Sequence, residues 1–307
     1  MRAALIGFGD IAPKHLEVLK NHNCAIAALV TKNKESAIQK ASKYNFPATY
    51  DSISDIPIDS VDFFLLMVNP EFTSDILREL IPLKKPILTE KPVSFGTKQI
   101  SELIELKNKY NCPIMVGMNR RFYSIFHKGL EFLKEKNKKL DAISIEAPER
   151  FSDIMLPKFN EITRKNWMFS NPIHCIDLIR FFGGDVREIK LNSSPKKYFF
   201  NAVGTLDNDT KFSYLSNWKS PGSWNVTLYA ESIRITFNPL EKGIINESGK
   251  ITEIFPSQQD ISFKTGFDLQ LEYFIEYLVK KNKITFPMCS LEDHKKTLEL
   301  IEKIFYL

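Results

Sequence analysis

With 307 residues, 43% of them hydrophobic and 26% charged, the chain is long enough for two ordinary domains and has no compositional sign of large-scale disorder. Its 42 basic residues against 37 acidic give a formal charge of only +5, and the bases are interspersed with acids, as in Lys134-Glu135-Lys136, so no nucleic-acid surface is expected. The four cysteines (Cys24, Cys112, Cys175, Cys289) form no Cys-x-x-Cys pair, and the longest apolar run, Val61 to Val68, is interrupted by Asp62. No metal site, disulfide framework or membrane span is therefore expected, and a strand starting at once leaves no room for a secretory leader; the expectation is a reduced, cytoplasmic setting.

In chain order, the first 118 residues alternate short apolar runs with helical patterns. Strands are expected at Ala3–Ile6, Ala25–Val30, Ala48–Tyr50, Phe63–Val68, Pro86–Thr89 and Pro113–Val116, with helices at Glu35–Tyr44, Thr73–Ile81 and Thr97–Tyr110. That alternation predicts an α/β, doubly wound parallel sheet covered on both faces. After the first strand comes Gly7-Phe8-Gly9-Asp10-Ile11-Ala12, opening a helix. This is the context in which a glycine pattern becomes a dinucleotide turn. Gly7 permits the bend, Gly9 lets the backbone approach a pyrophosphate, Ala12 lets helix pack on strand, and the free N–H groups of the helix start hold phosphate. About 20 residues on, the second strand ends in Thr31-Lys32, where an acid would accept bonds from the ribose hydroxyls. A hydroxyl and a cation suit a 2′-phosphate instead and favour NADP(H). Asn33 or Glu35 could still reach a ribose, so NAD(H) stays open.

Near Gly117-Met118-Asn119 the pattern changes, and a domain boundary is placed there: 1–119 for the dinucleotide, 120–307 for substrate and subunit contacts. A helix over Tyr123–Lys136 and a strand at Ile143–Glu146 lead into a poorly periodic stretch, Ala147–Asn171, and then a helix, His174–Phe182, closed by Gly183-Gly184. Strands are expected at Glu188–Leu191, Tyr198–Gly204, Lys211–Trp218, Trp224–Tyr229 and Ile233–Phe237, making an α+β domain with an open antiparallel sheet. Its aromatics would divide between a packed face and an association face. Helices at Leu269–Lys280 and Leu291–Phe305 finish the chain.

The glycine turn followed by His15-Leu16, the sequences Glu90-Lys91-Pro92, Gly117-Met118-Asn119-Arg120-Arg121-Phe122 and His174-Cys175-Ile176-Asp177, and the late Leu291-Glu292-Asp293 together resemble the glucose-fructose oxidoreductase / inositol dehydrogenase family of NAD(P)-dependent sugar oxidoreductases, over essentially the whole length. The resemblance implies that Glu90, Lys91 and Asn69 serve the cofactor along with the glycine turn. It implies that Lys91 bridges the nicotinamide ribose and the reacting hydroxyl, stabilising a developing alkoxide, and that His174 is the acid–base residue. Arg121, Trp167, Asn171 and His174 are the implied substrate contacts, and Asp177, three residues beyond His174, a supporting partner. The other histidines, His15 among them, carry no expected role. Many family members have an aspartate four residues before the histidine, where this chain has Ser170. The implied activity is hydride transfer with a carbohydrate, such as a nucleotide-linked sugar of surface-polysaccharide synthesis, by a homodimer or homotetramer joined through the second domain's sheet. The missing carboxylate leaves a non-catalytic dinucleotide or sugar sensor as the alternative, with an NAD-dependent glycosidase as another enzymatic reading.

Overall fold

Strands that are apolar on both faces can be satisfied only inside a covered parallel sheet, and the first third of the chain builds one. The computed structural model describes residues 1–157 and 159–306. Strands β1 (Arg2–Ile6), β2 (Ala25–Val30), β3 (Thr49–Tyr50), β4 (Phe63–Leu66), β5 (Ile87–Thr89) and β6 (Ile114–Val116) pair in parallel in the order β3-β2-β1-β4-β5-β6. Ala3, Leu5, Phe63, Phe64 and Leu65 are fully buried. The connecting helices are α1 (Ala12–Asn21), α2 (Lys34–Tyr44), α3 (Pro70–Leu80) and α4 (Thr97–Tyr110). Strand order reverses between β1 and β4, so the carboxyl ends of those strands form the crevice in which such sheets take ligands.

The described residues group into two compact units, 1–119 with 267–295, and 120–266 with 296–307. The segment 267–295, expected in the second domain, thus joins the first unit. The reason is packing. Phe274 meets Phe63 edge to face at 5.3 Å, the Asp268 carboxylate accepts from Asn21 Nδ2 at 2.8 Å, and Val116 N–H donates to the Cys289 carbonyl at 2.8 Å. The π-helical turn at Phe274–Val279 also interrupts what the periodicity presents as one helix.

In the second unit, helix α5 (Ser124–Glu135) precedes strand β7 (Ala142–Glu146). The poorly periodic stretch contains three short helices, α6 (Phe151–Ile154), α7 (Glu161–Lys165) and α8 (Trp167–Ser170), before α9 (Ile173–Gly183). Gly184 ends α9 with φ +89°. Strands β8 (Val186–Leu191), β9 (Phe199–Leu206), β10 (Lys211–Asn217), β11 (Asn225–Ala230), β12 (Ile233–Phe237), β13 (Gly243–Glu247) and β14 (Lys250–Ile254) follow. With β7 they make a sheet of order β14-β13-β12-β11-β7-β10-β9-β8. It is mostly antiparallel, but β7 runs parallel to β10, so β7 enters as a central strand from far earlier in sequence. Two strands lay beyond the expected set, β13 and β14.

The aromatics fall mainly on one face, where Phe200, Phe212, Tyr214 and Trp218 are buried, while Phe199 and the exposed Tyr229 lie on the other. The opposite face carries a cross-strand row of small hydroxyls, Ser213, Ser144, Thr227 and Thr236, in register from β10 to β12. Exposed Val203, Tyr229, Ile244 and Ile251 are set among them.

Helix α9 is anchored by charge as well as apolar packing. Arg121 donates from Nε and Nη2 to the two Asp177 oxygens at 2.7 and 2.6 Å, with both side chains buried. Thr297 Oγ1 donates to Asp177 at 2.9 Å and accepts from Arg180 Nη1 at 2.9 Å; Arg180 also pairs with Asp185 at 2.6 Å. Removing one partner of such a pair strands a buried charge. Asp177→Ala is therefore expected to cost about 3–5 kcal/mol in guanidinium unfolding, and a loss below about 1 kcal/mol would contradict this role.

Candidate functional site

The turn between β1 and α1 is held against two neighbouring strands at once. Gly7 N–H donates to the Val30 carbonyl at 2.8 Å, and Met67 N–H donates to Ile6 at 2.8 Å. Gly7 has φ +81°, and a β-carbon there would lie 2.8 Å from Val68 Cγ1 and 2.9 Å from the Met67 carbonyl oxygen. Both the backbone angle and the space demand glycine. Gly9 is the opposite case. A β-carbon on it would meet nothing within 4 Å, so its missing side chain serves whatever approaches the turn from outside.

A cavity of about 470 Å³ opens over this turn. Gly7, Phe8, Gly9, Thr31, Lys32 and Asn69 all line it. Asp10 and Ile11 lead into α1, whose Ala12 is fully buried. Lys40 and Phe72, to which the sequence reading gave no role, join the lining. Lys40 Nζ donates to the Phe8 carbonyl at 2.8 Å, and Phe8 packs on Tyr44 and Phe46 with ring centroids 5.1 and 5.7 Å away. Lys32 Nζ sits 5.4 Å from the Phe72 ring centre. Lys32, just past β2, and Lys40, on α2, bring two cations into a lining that also holds Asp51 and Glu79; the lysines suit an anionic group, and the cradle under Gly9 fits a pyrophosphate. The lining does not include Glu90 and Lys91, which follow β5. Glu90 is held elsewhere: His15 Nε2 donates to its Oε1 at 2.7 Å. Burial pushes the Glu90 carboxyl up, but the His15 bond and the charges of His15 and Lys91 outweigh it, and its pKa falls below the ordinary carboxylate value.

The second unit gathers the other expected residues around a carboxylate that sequence reasoning missed. Glu149, just past β7, is 4% exposed. It accepts from Trp167 Nε1 at 2.9 Å and from Asn171 Nδ2 at 3.0 and 3.1 Å. Trp224 Nε1 donates to the adjacent Pro148 carbonyl at 3.1 Å, the Arg120 guanidinium lies 4.6 Å over the Trp224 ring, and the buried His174 ring is 6.5 Å from that indole. Trp167, Asn171 and His174 thus belong to one cluster, while Arg121 is spent on Asp177 and its neighbour Arg120 faces the indole instead. Position 170, the end of α8, offers a hydroxyl only. No motif marked Glu149, because its surroundings lack periodicity. Among the described residues no group of three or more His, Cys, Asp or Glu is placed to hold a metal ion.

Burial pushes the Glu149 pKa up, and the Asn171, Trp167 and Trp224 donors with the Arg120 charge only partly offset this. A carboxylate raised on folding holds its proton more tightly in the native state, so stability falls as pH rises from about 4.3 through the native value. Glu149→Gln is expected to flatten that limb of stability against pH, measured by urea unfolding; an unchanged slope would contradict the assignment. Substitutions in the turn should separate its two glycines. Gly7→Ala should destabilise by about 1–3 kcal/mol and Gly9→Ala by less than about 0.5 kcal/mol, with Gly9→Ala still weakening dinucleotide binding in a fluorescence titration. Equal stability losses would contradict the distinction.

Residues 1–118 match the model of the Gfo/Idh/MocA oxidoreductase family, NAD-binding Rossmann fold. An inositol 2-dehydrogenase of Corynebacterium glutamicum is 28% identical over 126 residues, 40% of this chain and 37% of that protein. A myo-inositol 2-dehydrogenase of Thermotoga maritima is 28% identical over 130 residues, 42% and 39% of the two chains. The match therefore spans well under half the length of these curated relatives. Solved structures extend the likeness of fold to the whole chain. A Gfo/Idh/MocA family oxidoreductase from Vibrio cholerae superposes with a TM-score of 0.83 at 20% identity, covering 100% of this chain and 97% of that one. The UDP-N-acetylglucosamine 3-dehydrogenase of Acidithiobacillus ferrooxidans gives 0.80 at 15%, covering 99% and 96%. The glycine turn and the strand order of the first unit agree with this match of residues 1–118 to the Gfo/Idh/MocA oxidoreductase family, NAD-binding Rossmann fold.

Proposed function

We propose that the protein is an oxidoreductase that transfers hydride between a nicotinamide dinucleotide, NADP(H) in preference to NAD(H), and a ring carbon of a carbohydrate. The observation that carries this reading is the cavity over Gly7 and Gly9, with Thr31 and Lys32 where an acidic ribose partner would otherwise stand and Lys40 in the same lining. The cofactor supplies the hydride; the chain supplies orientation and charge. Lys91 is assigned to the reacting hydroxyl, where an ammonium lowers the energy of a developing alkoxide, and His174 to proton exchange, since imidazole is at home in both charge states near neutrality. Among substrate contacts, Trp167 and Asn171 are kept, and Arg120 is preferred to Arg121. A polyhydroxylated substrate suits a cluster that combines a carboxylate, a guanidinium and an indole face in Glu149, Arg120 and Trp224. Relatives named for inositol and for a nucleotide-linked amino sugar support the substrate class; a nucleotide sugar of surface-polysaccharide synthesis is the narrower assignment. The outward face of the second unit's sheet, with exposed Ile244, Ile251 and Val203, is assigned to a homodimer or homotetramer contact, and the setting to the cytoplasm.

Ser170 in place of an aspartate favours a second reading, a non-catalytic sensor of dinucleotide or sugar. Oxidation of NADPH at 340 nm with a panel of keto-sugars and nucleotide keto-sugars separates the two. Turnover is expected with at least one of them, and Lys91→Ala should lower it about 100-fold or more without loss of fold. Absence of turnover across the panel, with dinucleotide still bound, would favour the sensor. Cofactor choice is tested by dissociation constants. Thr31→Asp with Lys32→Ala should move the preference toward NADH, and tighter NADH than NADPH binding by the unmodified protein would reject the NADP(H) assignment.

A further inference from the structure

The histidine to which the sequence reading gave no role has a defined partner. His15 lies one turn into α1 and is 2% exposed. Its Nε2 meets Glu90 Oε1 at 2.7 Å, and its ring packs on Phe267 at 4.6 Å between centroids. Glu90 is fixed from other sides too. Its N–H donates to the Leu66 carbonyl at 2.9 Å, and Gly117 passes so close that a β-carbon there would lie 3.6 Å from Glu90 Oε1. An ionised carboxylate can only accept, so the imidazole donates through Nε2. The same helix that carries His15 begins at the phosphate turn, and the residue after Glu90 is Lys91. One partly buried, charge-assisted hydrogen bond therefore ties the helix that starts at the pyrophosphate cradle to the segment that carries the lysine.

We propose that His15 is a positioning residue: by holding the Glu90 carboxylate it sets Glu90 and Lys91 for the nicotinamide end of the dinucleotide. This rests on the reading above that the first unit binds a dinucleotide and that Glu90 and Lys91 serve its nicotinamide half. Without the imidazole, the partly buried Glu90 carboxylate turns to water or another donor, and its side chain leaves its place. The adenine end is served by Thr31, Lys32 and Lys40, on other elements, and is not coupled to His15.

The test compares two probes on the intact protein. NADPH occupies both ends of the site; 2′,5′-ADP occupies the adenine end alone, and NADH with ADP replaces the pair if NAD proves the preferred cofactor. His15→Leu should weaken the dinucleotide about tenfold and the adenine probe by less than about threefold, as loss of a charged hydrogen bond at one end implies. His15→Gln, which keeps a donor near the Nε2 position, should recover most of the loss. Glu90→Gln should reproduce the selective weakening, and the double variant His15→Leu/Glu90→Gln should be no weaker than either single one, the signature of a shared interaction. These variants are read well below their melting temperatures, and should His15→Leu not fold, His15→Gln and Glu90→Gln carry the comparison. Equal weakening of both probes would mean that His15 merely supports α1 and would overturn the proposal, as would unchanged dinucleotide affinity. A wild-type protein that binds neither dinucleotide would instead overturn the functional reading on which the proposal stands.

Discussion

The first unit depends on one close approach: the backbone at Gly7 against the Met67 carbonyl. Because no β-carbon intervenes, β1 and β4 can lie side by side right up to their carboxyl ends, and the chain can turn away from β1 at once into α1. That contact lies at the carboxyl ends of the two strands between which the strand order reverses, where the crevice opens. The cavity, the open space at Gly9 and the start of α1 adjoin it. Buried β1 supplies the hydrophobic drive, yet apolar burial alone has no direction; the glycine fixes the geometry.

The second unit solves a different problem. Helix α9 is buried along its whole length, including charged Asp177 and Arg180. The charges are accommodated because each has a partner from another element: Arg121 before α5, Thr297 from the last helix, Asp185 after α9. Such a network contributes little net stability compared with an apolar core, but it allows one arrangement and penalises slippage of the helix by a residue. The Glu149 cluster obeys the same rule on a smaller scale, one carboxylate holding an indole and an amide.

Much of this was legible in the residues. Each strand of the parallel sheet appears at or within a residue or two of its apolar run, and the glycine turn lies where the sequence requires it, because local pattern and tertiary demand agree there. Legibility fails where contacts are made far along the chain. Strand β14 is at the edge of its sheet and β13 lies beside it, and their exposed Ile244, Ile251 and Thr252 give no clean alternation. The parallel insertion of β7 beside β10 spans about seventy residues and leaves no local trace. Residues 267–295 belong with the first unit through Phe274 and Cys289, whose side chains look like any core residues. His15, Glu149 and Arg121 share one lesson: their partners stand 75, 22 and 56 positions away, so residue type alone does not reveal those pairings.

The central claim is that the Gly7–Gly9 turn is a dinucleotide cradle with its adenine end at Thr31, Lys32 and Lys40. A crystal structure of the protein with NADPH tests this most directly. The account predicts density for the pyrophosphate against the Gly9 backbone at the start of α1 and for the 2′-phosphate within hydrogen-bonding distance of Lys32 or Lys40. Density for the dinucleotide elsewhere, or a 2′-phosphate pointing away from both lysines, would contradict it.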